Sequence, residues 1–191
     1  MKKRAIFFDR DGTINVESGY ISSFDQFRFF PGIVNALAKL RQSGWLLFII
    51  TNQSGIARGY FSIADVQHLH SDMQNKLKQA DAAFDDIAIC PHHKSGSVAS
   101  LAIACECRKP GTKMLTDLAN KWNIDLSASY VVGDKSSDVA AGNRAGLTSV
   151  LLRSGYGAGL DANALVGIKK PDHIFDRAPD FADWLLSNRS Q

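Results

Sequence analysis

The stretch Ala5-Ile6-Phe7-Phe8-Asp9-Arg10-Asp11-Gly12-Thr13 decides how the rest of the chain is read. Four apolar residues give way to two carboxylates one residue apart, and Gly12-Thr13 follow. That pattern is a buried strand running into a tight turn. An unpaired buried carboxylate is costly, so two acids on one strand end imply a cation beside them. In open α/β sheets, ligands gather where parallel strands end. The expectation is a magnesium-assisted site with Asp9 as nucleophile.

Working outward, other apolar runs end the same way. Trp45 to Ile50 runs into Thr51-Asn52-Gln53-Ser54-Gly55, and Tyr130-Val131-Val132 into Gly133-Asp134-Lys135. Asp86 to Cys90, Thr148 to Leu152 and a short edge piece, His173 to Phe175, supply further strands. Helical patterns lie between them. One starts at Pro31 and stops before Gly44, with Ile33, Val34, Leu37 and Leu40 on its apolar face. Another opens on a Ser62/Asp65 capping box and carries a stripe of Val66, Leu69, Met73, Leu77 and Ala80. Lys113 to Trp122, Asp138 to Ala145 (closed by Gly146), 161–166 and Phe181 to Leu186 complete the set. Strands alternating with helices predict right-handed βαβ units, hence a doubly wound parallel sheet with helices on both faces. Residues 14–30 lack periodicity and read as a flap over the strand ends. A single domain over 1–191 is expected, without a large cap domain.

A chain of 191 residues, 45% hydrophobic, can bury one sizeable core. Its net charge of +3 is mild, and apart from Lys2-Lys3-Arg4 and Lys169-Lys170 no basic block suggests nucleic acid. No apolar run reaches the roughly 18 residues of a membrane span, and Asp9 interrupts what could have been a signal sequence. Three cysteines, an odd number, argue against a disulfide framework and for the reducing cytoplasm. A monomer acting on a small molecule is the expectation.

Four strand ends therefore offer Asp9/Asp11, Thr51/Asn52, Arg108-Lys109 and Asp134/Lys135 to one crevice. Acids, a hydroxyl and cations together suit phosphoryl transfer, which is mostly positioning and charge stabilisation. Asp-Arg-Asp-Gly-Thr after a strand, Thr-Asn after the next, a downstream Lys and Gly-Asp-Lys-x-x-Asp resemble the haloacid dehalogenase superfamily of aspartyl-phosphate phosphatases, over residues 5–138. The resemblance implies that Asp9 attacks phosphorus and that Asp11 protonates the leaving oxygen, then activates water. It implies Mg²⁺ held by the Asp9 side chain, the Asp11 carbonyl and Asp134. Thr51 would donate to the phosphoryl group and Lys109 would neutralise its charge. Asp138 would either steer Asp134 or Lys135, or simply cap its helix.

Every cysteine falls within one aperiodic loop, residues 90–109. Cys90-Pro91-His92-His93 and Cys105-Glu106-Cys107 offer a Cys₃His set for structural Zn²⁺, although both spacings are shorter than the common Cys-x-x-Cys. Chemistry alone leaves His92 and His93 equivalent. Cys-Pro-His-His followed by Cys-x-Cys-Arg-Lys-Pro is similar to the zinc-containing branch of the superfamily, in which the first histidine ligates, implying His92. That branch holds heptose bisphosphate and histidinol-phosphate phosphatases. Thr13-Ile14-Asn15-Val16-x-x-Gly19-Tyr20 and residues 51–59 most resemble the heptose enzymes. The implied activity is hydrolysis of the C7 phosphate of D-glycero-D-manno-heptose 1,7-bisphosphate, in the supply of nucleotide-activated heptose for lipopolysaccharide core; histidinol phosphate is the alternative substrate. Implied substrate contacts are Glu17, Ser18, Gly19, Tyr20, Thr51, Asn52, Gln53, Ser54, Arg108, Lys109 and Lys135. Zinc would pin the loop that carries Arg108 and Lys109.

Overall fold

The computed structural model describes residues 2–159 and 169–188. Its centre is the strand that opens the chain. β1 (Ala5–Phe8) lies between β2 (Leu46–Asn52) and β4 (Tyr130–Gly133), each parallel to it. β3 (Asp86–Cys90), β5 (Thr148–Leu152) and β6 (His173–Phe175) extend the sheet to the order β3-β2-β1-β4-β5-β6, parallel throughout. The order reverses direction beside β1, so the crevice at the strand ends opens next to Asp9.

Alternation along β1 divides the core in two. Ile6 and Phe8 face one layer, with Leu37 and Leu40 of α1 (Ile33–Gln42), Leu69, Met73 and Leu77 of α3 (Ile63–Lys78), and Phe181 of α6 (Ala178–Ser187). Ala5 and Phe7 face the other, with Met114, Leu115 and Leu118 of α4 (Lys113–Trp122) and Ala141 of α5 (Ser136–Ala145). β1 is buried on both faces, and this is why it reads as a continuous apolar run rather than an alternating one. A short α2 (Ser54–Ala57) follows β2 directly.

Several boundaries differ from the sequence expectation. α1 begins at Ile33, because Gly32 takes a left-handed N-cap conformation (φ 83°) and leaves Pro31 in the preceding turn. β2 runs on through Thr51 and Asn52, which pair with Ile89 and Cys90. α5 begins at Ser136 rather than Asp138. Ala80 lies beyond the end of α3, exposed in a turn, so the buried stripe stops at Leu77. Residues 14–30 are irregular, as expected, but Ile14, Ile21 and Phe27 are buried in the core. The flap is thereby anchored at its root. The helix expected over 161–166 lies outside the described residues. Among the described residues, no helix is long and apolar enough to cross a membrane.

Candidate active site

Asp9 follows β1, and its backbone N–H still pairs with the Val132 carbonyl at 2.9 Å, so the ladder reaches the first functional residue. Its side chain is buried. Oδ1 accepts from the Arg10 N–H (2.8 Å) and lies 2.9 Å from Lys109 Nζ, while Oδ2 meets Lys135 Nζ at 3.6 Å. Burial alone would push this carboxyl up, but Lys109 and Lys135 hold it below the ordinary aspartate value. Asp9 is thus kept as an anion, with Oδ1 pinned by Lys109 and the Arg10 N–H and Oδ2 beside the Lys135 ammonium.

Lys109 is the buried counter-ion. Nζ lies 2.9 Å from Asp9 Oδ1 and 2.6 Å from Asp138 Oδ1, and donates to the Ile50 carbonyl at 2.7 Å. All three of its N–H groups are committed. Burial works against its charge, yet the two carboxylates, Asp138 foremost, raise its pKa. Asp138 caps its helix, as one of the two sequence readings had it, with Oδ2 accepting the Lys135 N–H (3.0 Å) at the start of α5, while Oδ1 pairs with Lys109, a partner the sequence did not suggest.

Asp134, at the end of β4, closes the group. One oxygen each from Asp9, Asp134 and Asp138 falls within a 4.8 Å cluster. Asp134 Oδ2 accepts the Tyr156 N–H at 2.7 Å, whereas buried Oδ1 has no hydrogen bond and only Lys135 Nζ at 3.8 Å. Burial pushes the Asp134 pKa up to about 7. Three buried carboxylates face two ammonium groups here, so the cavity carries surplus negative charge even before a phosphate arrives. An orphaned carboxylate oxygen in such a cavity fits a divalent cation. Gly12 is required beside it: at φ +85° its missing Cβ would stand 2.2 Å from Asp134 Oδ2, and a Cβ at Gly155 would meet the same oxygen.

The Asp11 side chain lines the crevice but is not part of this cluster. It accepts from Arg10 Nε (3.0 Å), from Arg10 Nη2 on both oxygens (2.7 Å each), from Asn15 Nδ2 (3.1 Å) and from Gln53 Nε2 (2.8 Å). Gln53 Nε2 also donates to Thr51 Oγ1 (2.9 Å), which leaves the Thr51 hydroxyl proton free to point elsewhere. Gln53 therefore joins Asp11 to Thr51.

A crevice of about 340 Å³ lies over these groups, lined by Asp11, Glu17, Gly19, Tyr20, Asn52, Gln53, Ser54, Arg108, Lys109, Lys135, Ser137 and Tyr156. Most of the expected substrate contacts are in that lining; Ser18 is exposed and outside it, and Thr51 is buried beneath it. Asn52 is tied at both ends to Lys109, donating from Nδ2 to its carbonyl (3.1 Å) and accepting its N–H (3.0 Å). Burial raises the Glu17 pKa.

The cysteine loop approaches from the β3 side. Cys90 ends β3; Pro91 to Thr112 contain no helix or strand. Their Sγ atoms stand 3.2 Å (Cys90–Cys107), 3.4 Å (Cys105–Cys107) and 3.6 Å (Cys90–Cys105) apart, with His92 Nδ1 3.3 Å from Cys107 and 3.9 Å from Cys90. A tetrahedral zinc with Zn–S of about 2.3 Å has ligand–ligand edges of about 3.8 Å, so the cluster has the right scale. His93 stands outside it, its Nδ1 accepting the Ser95 N–H at 3.1 Å. The geometry separates the two histidines, as chemistry alone did not. Arg108 donates from Nη1 to the His92 carbonyl (3.2 Å), which locks the cluster to the crevice wall.

Comparison with known proteins agrees with this geometry. A HAD-hydrolase-like family model matches residues 106–181. The D-glycero-beta-D-manno-heptose-1,7-bisphosphate 7-phosphatase of Escherichia coli K12 is 42% identical over 185 residues, 96% of this chain and 88% of that protein. The chain belongs to the HAD-like hydrolases. A heptose-1,7-bisphosphate 7-phosphatase from Haemophilus ducreyi is 40% identical, covering 97% of this chain and all of that one. Among solved structures, D,D-heptose 1,7-bisphosphate phosphatase from B. bronchiseptica, complexed with magnesium and phosphate, superposes with a TM-score of 0.85 at 32% identity, over 97% of this chain and 99% of that one.

Within this HAD-like crevice, four residues went unread in the sequence. Ser137 sits in the Gly-Asp-Lys motif's own continuation, so its position was available. Tyr156 arrives from the loop after β5, and its ring takes the Lys135 ammonium at 4.8 Å. Arg10 and His70 are buried behind Asp11, 3.0 Å apart.

Proposed function

We propose that this chain hydrolyses the C7 phosphate of D-glycero-D-manno-heptose 1,7-bisphosphate through a phospho-Asp9 intermediate, supplying heptose phosphate for nucleotide activation and lipopolysaccharide core. The observation that carries the chemistry is Asp9 itself: a buried carboxylate held ionised by Lys109 and Lys135, with Oδ2 3.6 Å from the Lys135 ammonium that lines the crevice. The similarity along nearly the whole chain to named heptose bisphosphate phosphatases supports the substrate, and their names point to the β anomer as the first to assay.

Asp9 Oδ2 attacks phosphorus and the sugar oxygen departs with a proton from Asp11; a water then loses its proton to Asp11 and opens the acyl phosphate. The Thr51 hydroxyl donates to a phosphoryl oxygen. Lys109 acts on the nucleophile and on the charge passing through it, since its protons are already engaged with Asp9, Asp138 and Ile50. Asp9, the Asp11 carbonyl and Asp134 would hold Mg²⁺, which would supply charge neutralisation between carboxylates and phosphate. Asp11's share falls to its carbonyl because its side chain is bound to Arg10. Cys90, His92, Cys105 and Cys107 would hold a structural Zn²⁺ that orders the loop, and Arg108 on that loop reads the far phosphate, a role suited to a bidentate guanidinium. Glu17, Gly19, Tyr20, Asn52, Ser54, Lys135 and Tyr156 line the path of the sugar. We read the chain as one domain acting as a cytoplasmic monomer, in keeping with three thiols left unpaired.

Phosphate release measured side by side for the heptose bisphosphate (both anomers) and histidinol phosphate tests the reading. A kcat/KM at least about a hundredfold higher for the heptose bisphosphate, some 2.7 kcal/mol of discrimination, is expected. Preference for histidinol phosphate overturns it.

A further inference from the structure

Arg10 stands between the two acids of the opening motif and has no part in the chemistry above. It is among the largest fully buried side chains, 1% exposed. A guanidinium hidden so completely needs partners on every edge. Nε and Nη2 are spent on Asp11 through three contacts of 2.7–3.0 Å. Nη1 turns the other way and meets His70 Nε2 at 3.0 Å. Arginine carries only donors, so Nε2 must be the accepting nitrogen and the imidazole neutral, with its proton on Nδ1. His70 is on the inner face of α3, next to Leu69 and one turn before Met73, itself 5% exposed. Burial and the adjacent Arg10 push its pKa down to about 3, in agreement with that tautomer.

The chain of contacts runs from α3 through His70 and Arg10 to the carboxylate of Asp11, and Asn15 and Gln53 close the remaining sides. We propose that Arg10 and His70 are positioning residues for the proton-transfer group: the neutral imidazole anchors the guanidinium, and the guanidinium sets the orientation of the Asp11 carboxylate. The proposal rests on the reading of Asp11 as acid and base. A clamp of donors matches the carboxylate that Asp11 becomes once its proton has gone to the leaving oxygen. The step most exposed to its loss is therefore the second, in which that carboxylate takes a proton from the water attacking phospho-Asp9. Small displacements of such a group are expensive, with a shift of about 1 Å able to cost on the order of a hundredfold.

The test uses the full chain with magnesium and p-nitrophenyl phosphate, whose leaving group departs without needing a proton. His70→Leu removes the acceptor; His70→Gln retains one in its side-chain carbonyl. In His70→Leu, the first turnover should release nitrophenolate at the wild-type rate, followed by a steady state slowed roughly ten- to a hundredfold, with phosphoprotein accumulating. His70→Gln should recover most of the loss. Asp11→Asn should show the same burst and a deeper steady-state loss, and His70→Leu should add nothing to it. If Asp11→Asn shows no such split, the acid/base reading itself fails. If Asp11→Asn shows it but His70→Leu turns over like wild type, or slows both variants by the same factor, the positioning role is overturned. Equal thermal destabilisation by His70→Leu in both backgrounds separates folding from kinetics.

Discussion

Asp9, Thr51 and Asp134 stand at the ends of β1, β2 and β4, where ladder hydrogen bonds already set the backbone. Cys105 and Cys107 lie in a stretch, Pro91 to Thr112, with no helix or strand to place them. Both clusters fit a metal, but by opposite means. The carboxylates are gathered by the sheet and neutralised in part by Lys109 and Lys135 before any cation arrives. Of the zinc-type ligands, Cys90 is set by the end of β3, while His92, Cys105 and Cys107 have no such scaffold. Holding their loop costs roughly 1–2 kcal/mol of conformational entropy per residue, which bound zinc offsets. One cluster is gathered by the sheet; the other lies in the loop that carries Arg108 and Lys109. The two meet at Lys109, which enters from the loop and ends between Asp9 and Asp138.

Breaking the sheet-gathered half should have the largest kinetic effect. Asp9→Asn should lower kcat by at least about 10⁴-fold while zinc content stays unchanged. Near-normal turnover would remove Asp9 from the mechanism. Breaking the loop half should be gentler on chemistry and harsher on order. Cys107→Ser, or zinc removal with a chelator, should lower kcat/KM by about a hundredfold through misplacement of Lys109. Amide exchange should rise across 91–112 while the sheet stays protected. Full activity in protein shown by elemental analysis to lack zinc would contradict it.

The remaining effect is on stability rather than turnover and comes from His70. Its folded pKa of about 3 lies below the ordinary 6.5, so the unfolded chain binds its proton first as pH falls. Stability from the neutral imidazole is complete above pH 6.5 and declines as pH drops toward 3, by about 3 kcal/mol at pH 4. Chemical denaturation at pH 7 and pH 4 measures it, and His70→Gln should lose less between the two. An equal loss in both proteins would show that other groups govern the acid limb.

Much of the architecture was legible because parallel strands buried on both faces leave continuous apolar runs, and their polar termini mark the crevice. The Cys₃His set was visible for a similar reason: few roles other than a metal suit three thiols and an imidazole in one loop. Where α1 begins was not legible, since Pro31 and Gly32 both suit a helix start and only the left-handed φ of Gly32 decides between them. Tyr156 was hidden among glycines in a loop with no periodicity.

Arg10 and His70 mark the boundary most clearly. Sequence by itself determined the strand-end acids and their order, and the family resemblance carried by that order implied their distinct roles and a metal, because the motif depends on residue type and local spacing. It could not show that His70, on α3, faces inward to an arginine 60 positions earlier. A buried polar side chain on an apolar stripe reads as an interruption until its partner is known. That partner is chosen by the packing of α3 against the sheet, and only the tertiary structure decided it.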